Sequence, residues 1–407
     1  METTLRKLPV PYGKSVHGEE EIAAVLYVLR TSTQMGPHVR QFEERVARLF
    51  NKRFGLMVNS GSSALYLAAD LMDFEPGAEV VTPVLTFSTT VAPLVKKGWI
   101  PAFVDVEEGT YNINAERVEE AISTRTRALV IPNLIGNLPD WPRLREIADK
   151  YRLFVLEDSA DTLGATLNGH STGRYSDIST TSFYGSHVIN CAGNGGMLCL
   201  NDEAMYRRGR LLRSWGRSSS LFEESEKIEN RFNIELDGIP YDAKFVFEEP
   251  GYNMEPSELG AAFGLVQLEK LEHNIETRIK NFEFLQFFFK RYEEFFILPR
   301  QRPGSRTGWL AFALTLRPGA PFSRRDFQIF LEKHGIQTRT VFTGNILRQP
   351  GFRNIPCRRA QDGYPEADKV MAGGILLGCH QGLTQEHLDH IAEVVTAFLK
   401  PFAPTCC

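Results

Sequence analysis

The strongest constraint on this chain is a strand–turn–helix rhythm repeated between residues 53 and 201. "RFGLMVNSGSSALYLAADLM" runs from a short apolar strand through a Gly/Ser turn into a helix, and "AEVVTPVLTFSTTVAPLVKKG" repeats the pattern. "IPAFVDV", "TRALVIPNLIG", "RLFVLEDSA", "ISTTSFYG" and "GGMLCLN" read as further strands, most of them separated by helix-length segments such as "NAERVEEAIS" and "DWPRLREIADKY". Short apolar strands alternating with helices predict an α/β domain built on a mostly parallel central sheet. Two helices precede it, "GEEEIAAVLYVLRT" and "HVRQFEERVARLF", the latter with Val39, Phe42, Val46 and Leu49 at helical spacing.

The texture changes near residue 270. "LVQLEKLEHNIETRIKNFEFLQFFFKRYEEF" predicts one long helix or two, and "GWLAFALTL", "RRDFQIFLEKHG" and "EHLDHIAEVVTAFLK" predict a smaller α+β domain. A chain of 407 residues exceeds one ordinary core. The expected division is a large domain over 1–270 and a small one over 271–407.

Composition narrows the class. The formal net charge is −4 with no Lys/Arg run, so neither nucleic acid nor an anionic membrane is an expected partner. The N-terminus lacks an apolar signal core, and no apolar run approaches the ~18–20 residues that span a bilayer. The six cysteines (191, 199, 357, 379, 406 and 407) show no CxxC spacing and no disulfide framework. A reducing cytoplasm is the expected setting.

Ligand sites in such sheets lie at the carboxyl ends of the strands, where four segments carry chemistry. "NSGSSAL" (59–65) offers backbone N–H groups at a helix start, either an anion site or an ordinary capped turn. "LEDSADTLGA" (156–165) places Glu157 and Asp158 after an apolar strand, with Asp161 three residues on. A carboxylate there can hold a protonated ring nitrogen, a metal or a ribose, or merely cap a helix. Phe87 in "TFSTT" can stack on a flat ring or fill the core. In "SFYGSH", Ser182 can reach a phosphate and His187 a reacting carbon, although a lone histidine is more often structural.

Taken in order, "NSGSSAL … TPVLTFSTT … LEDSADTLGA … TTSFYGSH … GNGGML … EPGYNMEPSELGAAFGLVQLEKL" resembles the sugar aminotransferase family of fold-type I pyridoxal phosphate enzymes, the DegT type, over roughly residues 15–400. Members carry a Schiff-base lysine after the "SF" strand. Here His187 fills that place, and no lysine occurs between Lys150 and Lys227. The pattern resembles the nucleotide-sugar 3-dehydratases of the family, the branch that includes enzymes of colitose and ascarylose synthesis. "FTGNILRQPGF" (342–352), "LLGCHQGLTQEHLDHI" (376–391) and "SWGRSSS" (214–220) point the same way. Two departures stand out. The stretch from His187 to Gly195–Gly196 is one residue longer than in those relatives. The segment "WGRSSSLFEESEKIENRF" also lacks the clustered cysteines with which the ascarylose-type enzyme holds a [2Fe–2S] centre.

The resemblance implies a fold-type I transferase fold and pyridoxal 5'-phosphate or pyridoxamine 5'-phosphate as cofactor, with no iron–sulfur cluster. It implies roles for particular residues. His187 is the base, with an ordinary imidazole pKa of about 6.5. Asp158 pairs with the ring nitrogen, Phe87 stacks on the ring, and Gly61, Ser62 and Ser182 hold the phosphate. Asp161 lies on the ring-hydroxyl side, and Asn253 reaches the phosphate of the neighbouring subunit in a homodimer. Arg339 and His380 are candidates for the sugar or the donor carboxylate, or else a surface charge and a satisfied polar pair. The implied reaction is loss of the C3 hydroxyl from a nucleotide-linked 4-keto-6-deoxyhexose, with L-glutamate as amino donor. Three other readings stay open: a cluster- or reductase-assisted 3-dehydrase, a nucleotide-sugar aminotransferase, and a non-catalytic binding protein that keeps the fold.

Overall fold

The computed structural model describes residues 7–222 and 226–402, so the extreme N-terminus and Cys406 and Cys407 lie outside the described residues. The repeated strand–helix units build one seven-stranded sheet. Its strands are β1 (Phe54–Val58), β2 (Glu79–Pro83), β3 (Ile100–Val104), β4 (Thr126–Pro132), β5 (Phe154–Asp158), β6 (Ile178–Ser182) and β7 (Gly196–Leu200), in the spatial order β1-β7-β6-β5-β4-β2-β3. Neighbours from β3 through β6 pair in parallel. β7 runs antiparallel to both β6 and β1, so the sheet is mostly parallel with one reversed strand. The strands are buried along nearly their whole length, which is why they read as continuous apolar runs rather than alternating ones.

Helices cover the sheet. The first two are α1 (Glu19–Thr31) and α2 (Pro37–Leu49). α2 starts with Pro37 in its first turn and buries Val39, Phe42 and Val46, the stripe its spacing predicts. α3 (Gly61–Met72) follows β1, and Ser60 caps it by accepting a hydrogen bond from the Ser63 N–H. α4 (Ser88–Lys96) follows β2, α5 (Trp141–Tyr151) precedes β5 and is capped by Asp140, and α6 (Glu203–Arg213) follows β7. "NAERVEEAIS" forms a tighter 3₁₀ segment, Ala115–Ala121, rather than an α-helix.

The long apolar stretch near 270 resolves into two helices, α7 (Glu258–Glu269) and α8 (Leu271–Phe289), meeting at Lys270. Beyond them lies a four-stranded antiparallel sheet of β8 (Phe296–Ile297), β9 (Ala311–Leu316), β10 (Thr338–Arg339) and β11 (Gly374–Gly378), ordered β8-β9-β11-β10. α9 (Arg324–Lys333), α10 (Pro365–Gly373) and α11 (Gln385–Leu399) accompany it. Its core is rich in phenylalanine, including Phe282, Phe289, Phe296, Phe312 and Phe327. Val10, far away in sequence, joins that core and bridges to Ile336. No helix among the described residues is long and apolar enough to cross a membrane.

Candidate functional site

The parallel strands of the large sheet deliver their carboxyl ends to one edge, and the turns that follow hold most of the expected residues. After β1, Gly61 opens α3 and Ser62 follows, so their N–H groups belong to the unpaired first turn of a helix. Ser182 ends β6 beside them. A Cβ built on Gly61 would sit 2.6 Å from the Ser182 Cβ, so the approach of the two segments requires glycine.

After β2, Phe87 precedes α4 with half its surface exposed and its edge against Phe342, at a ring separation of 5.8 Å. One turn into α4, the Thr90 hydroxyl donates to Asp158 Oδ2 at 2.8 Å, which joins this element to the end of β5. Asp158 is buried; its other partner is the Ala160 N–H, at 3.2 Å. Among the described residues no ion pair includes Asp158. Burial pushes its carboxyl above the usual carboxylate range, partly offset by the Thr90 hydrogen bond. Glu157 points the other way, as the alternation of a strand demands. It is a fully buried hub accepting from Asn133, Ser159, Ser176 and Ser179.

His187 and Asp161 tie the two halves together. The Nδ1–H of His187 donates to the Ser182 carbonyl at 3.1 Å, because a carbonyl can only accept. That fixes the tautomer and leaves Nε2 with its lone pair, 3.9 Å from Asp161 Oδ1. The separation is too long for a hydrogen bond. The two side chains retain only 13% and 11% of their exposure, reachable yet largely dry. Burial holds the His187 imidazole down at about 4, against the pull of its Ser182 hydrogen bond, so the ring is a neutral free base at pH 7. Burial, with the nearby Asp158 charge second, pushes Asp161 up to about 7.

Asp161 has a further partner that sequence reasoning missed. Its Oδ2 accepts the Ile135 N–H at 2.9 Å. Ile135 holds φ +62°, a left-handed backbone that a β-branched side chain resists. That strained turn after β4 aims an amide at the site, and nothing in "NLIGN" announces it beyond a glycine. Thr90, Tyr12 and Arg278 were missed as well. Tyr12 is packed beneath Arg339, whose guanidinium lies 5.3 Å from the ring centroid. Burial raises the Tyr12 phenol, with the Asp161 charge next among the causes.

Three expected residues stand apart from this cluster. His380 is fully buried in the loop after β11; its Nε2–H donates to the Pro11 carbonyl at 3.0 Å, and its Nδ1 accepts the Gly382 N–H at 3.1 Å. With both nitrogens engaged it is a satisfied core histidine and has no free atom for a sugar or a donor carboxylate. Arg339 is exposed on β10, donates to the Thr338 carbonyl and lies over the Tyr12 ring. Asn253 is exposed and accepts the Glu255 N–H; the adjacent Met254 carbonyl accepts the Asn59 N–H, so the segment runs beside the turn that opens α3. Among the described residues, Cys191, Cys199, Cys357 and Cys379 are free thiols, and no group of three His, Cys, Asp or Glu could hold a metal ion.

Asp161 sets a test of these electrostatics. Its folded-state pKa lies above the unfolded value, so its stabilisation is complete below about pH 4 and is lost as pH rises through 7. Asp161→Asn is neutral at every pH. In cofactor-free protein it is expected to match wild type near pH 4 and to exceed it by on the order of 2–4 kcal/mol at pH 8. Thermal melts at both pH values check this; an equal offset at the two would mean that the carboxyl is well solvated.

The chain is similar to known proteins over nearly its whole length. Residues 15–396 match the family model described as the DegT/DnrJ/EryC1/StrS aminotransferase family. The chain is 34% identical over 400 residues to the dTDP-4-dehydro-2,6-dideoxy-D-glucose 3-dehydratase of Saccharopolyspora spinosa, covering 96% of this chain and 86% of that one. It is 30% identical over 400 residues to the GDP-4-keto-6-deoxy-D-mannose 3-dehydratase of Yersinia pseudotuberculosis, covering 96% and 100%. A crystal structure of GDP-4-keto-6-deoxymannose-3-dehydratase with a trapped PLP-glutamate geminal diamine superposes with a TM-score of 0.84 at 26% identity, covering 95% of this chain and 99% of that one. With the match spanning both sheets and every turn that carries the site, the chain belongs to the DegT/DnrJ/EryC1/StrS aminotransferase family and has its fold-type I architecture.

Proposed function

We propose that this protein is a pyridoxal/pyridoxamine 5'-phosphate-dependent 3-dehydratase of a nucleotide-linked 4-keto-6-deoxyhexose. The observation that carries the reading is His187. It stands where the family's lysine would, it cannot bond covalently to an aldehyde cofactor as a lysine does, and its Nε2 is left as a free base in a dry site. Two relatives named as 3-dehydratases of 4-keto nucleotide sugars support it, one for a dTDP sugar and one for a GDP sugar, so the nucleotide is left open.

The residues present fit the cofactor. The unpaired N–H groups of Gly61 and Ser62 and the Ser182 hydroxyl suit its phosphate. Asp158, buried without a cation, suits its protonated ring nitrogen. The half-exposed Phe87 suits its face. When bound, the cofactor supplies an amine that condenses with the sugar's C4 ketone and an electron sink for loss of the C3 hydroxyl. His187 Nε2 takes up the proton released in that loss and, as imidazolium facing Asp161, returns one to the departing hydroxyl. Asp161, whose Oδ2 accepts the Ile135 N–H, turns Oδ1 toward His187 and is placed to steady the imidazolium charge. L-glutamate restores the amine and supplies the two electrons of the net reduction. The balance is substrate plus glutamate giving 3-deoxy-4-keto sugar, 2-oxoglutarate and ammonia.

Absorbance spectra with pyridoxal phosphate, before and after borohydride, and then with L-glutamate, test this directly. The expected result is no borohydride-fixed cofactor and conversion by glutamate to the amine form, followed by ammonia release with a 4-keto-6-deoxy nucleotide sugar. Cofactor fixed to a lysine would instead favour an aminotransferase. Gly61→Val provides a separate test of the phosphate cradle. Its Cβ would meet Ser182, and the cofactor Kd is expected to rise by at least about 10-fold; an unchanged Kd would place the phosphate elsewhere.

A homodimer belongs to the same reading. Ile228, Phe232, Ile239, Phe245 and Phe247 expose large apolar side chains on the segment leading to Asn253, an unusual concentration for a surface left in water. Gel filtration with light scattering is expected to return the mass of two chains.

A further inference from the structure

We propose that Arg278 is a positioning residue for His187: its buried guanidinium clamps the backbone of the histidine-bearing turn to α8 and to the loop after β11. The proposal rests on the reading of His187 as the base.

Arg278 is fully buried on α8. Its Nη2 donates to the carbonyls of Ser186 and His187, both at 3.0 Å. Its Nη1 donates to the Trp309 carbonyl at 2.9 Å and more weakly to that of Leu310 at 3.4 Å, and its Nε donates to Gln381 Oε1 at 2.7 Å. All five acceptors are neutral, and no ion pair among the described residues includes Arg278. A buried cation without a carboxylate is costly, and burial pulls this guanidinium down to about 10. Apolar packing alone would be better met by leucine, since Ile275, Phe282 and Leu285 on the same helix are buried hydrophobes. What an aliphatic side chain cannot do is reach carbonyls in several directions with a rigid planar fork.

The clamp has neighbours that act in the same sense. Asn274, one turn earlier on α8, donates to the Val188 carbonyl at 3.0 Å, and Gln381 Nε2 donates to it at 3.3 Å. Three successive carbonyls, 186 to 188, are thereby held. Asn281, on the same face of α8, donates to the carbonyls of Cys379 and His380, securing the loop that presents Gln381. His187 is thus pinned twice, at its carbonyl by Arg278 and at its ring by the Ser182 carbonyl, which fixes where Nε2 points. The nearby guanidinium also disfavours a charged imidazole, so it helps keep the ring a free base.

The test compares Arg278→Met and Arg278→Lys with wild type, in both the cofactor-free and the loaded enzyme. Backbone amide exchange over residues 184–192 and the titration of His187, read by exchange at its C2–H, are followed beside kcat and KM. For Arg278→Met the expected result is exchange over 184–192 faster by about 10-fold or more, with the seven-stranded sheet unchanged. The His187 titration is expected to move up toward its ordinary range, and kcat to fall more than KM rises. Arg278→Lys, which keeps the charge and loses the fork, should restore the titration and not the protection. Wild-type exchange over 184–192 and wild-type His187 titration in a folded Arg278→Met protein overturn the proposal. If Arg278→Met does not fold, Arg278→Lys decides it by the exchange readout, and wild-type protection there overturns it equally. His187→Asn, run in parallel, separates the two ideas. Retained dehydration in that variant would refute the base assignment, whereas the exchange and titration results judge the clamp regardless.

Discussion

His187→Asn is expected to lower the rate of 3-dehydration by about 10²- to 10⁴-fold, the range that a positioned acid–base group contributes, while cofactor binding stays within a few-fold of wild type. Asparagine can still donate its side-chain N–H to the Ser182 carbonyl, so the turn keeps its anchor; what disappears is the lone pair facing Asp161. Single-turnover dehydration with a 4-keto-6-deoxy nucleotide sugar, beside a cofactor titration, measures both quantities. The two relatives named as dehydratases and the "aminotransferase" in the family's description make the contrast informative. His187→Lys should create a cofactor link that borohydride fixes, with dehydration still absent or slow. If His187→Asn instead dehydrates at the wild-type rate, another group moves the proton, and Asp161, pushed up to about 7, is the first to examine.

Much of the fold is legible in the sequence because the signals are local. Continuous apolar strands bounded by turn residues fix the seven strands of the large sheet, and the 3–4 spacing of Val39, Phe42 and Val46 fixes the buried face of α2. The direction of β7 is not legible. "GGMLCLN" reads as any other strand, and only the tight return of the His187 loop, closed by hydrogen bonds from Phe183 to Gly195 and from Gly185 to Gly193, makes it antiparallel. The 3₁₀ segment at Ala115–Ala121 escapes as well: its composition suits an α-helix, and the structure shows no local reason for the tighter form.

The candidate site divides the same way. Residues at or just after a strand's carboxyl end, such as Gly61, Phe87, Asp158, Ser182 and His187, stand out as candidates in the sequence, and their roles come from the family resemblance. Those that converge from afar are not. Arg278 approaches His187 across 91 positions of sequence, and no local pattern foretells that contact. One clue was present: an arginine at helical spacing from Ile275, Phe282 and Leu285, flanked on the same face by Asn274 and Asn281. His380 illustrates the opposite error. Its loop resembled family sequence, yet the histidine spends both nitrogens on backbone groups and belongs to the scaffold.

Asp158→Asn is expected to separate function from stability in opposite directions. The wild-type carboxyl is buried with only a hydroxyl and an amide as partners, and burial raises its pKa. The sign follows from linkage. A carboxyl raised above its unfolded value stabilises the fold below the unfolded pKa of about 4 and loses that contribution as pH rises through the folded value. Near pH 7 and without cofactor, the neutral asparagine should therefore melt at the same temperature as wild type or higher, because it keeps the Thr90 hydrogen bond and removes an unpaired buried charge. With cofactor the order is expected to reverse under the proposed role of Asp158. A protonated ring nitrogen would supply the cation that Asp158 lacks, and asparagine would not hold that proton in place. Turnover is then expected to fall by roughly 10²- to 10³-fold, the scale seen when one preorganised electrostatic partner is removed, and the extra stability conferred by cofactor should shrink. Melts with and without pyridoxal phosphate, paired with turnover, read both effects in one protein. A variant that loses stability in the cofactor-free state would instead make Asp158 a scaffold residue like Glu157, its neighbour on β5, whose four hydrogen bonds already account for its burial.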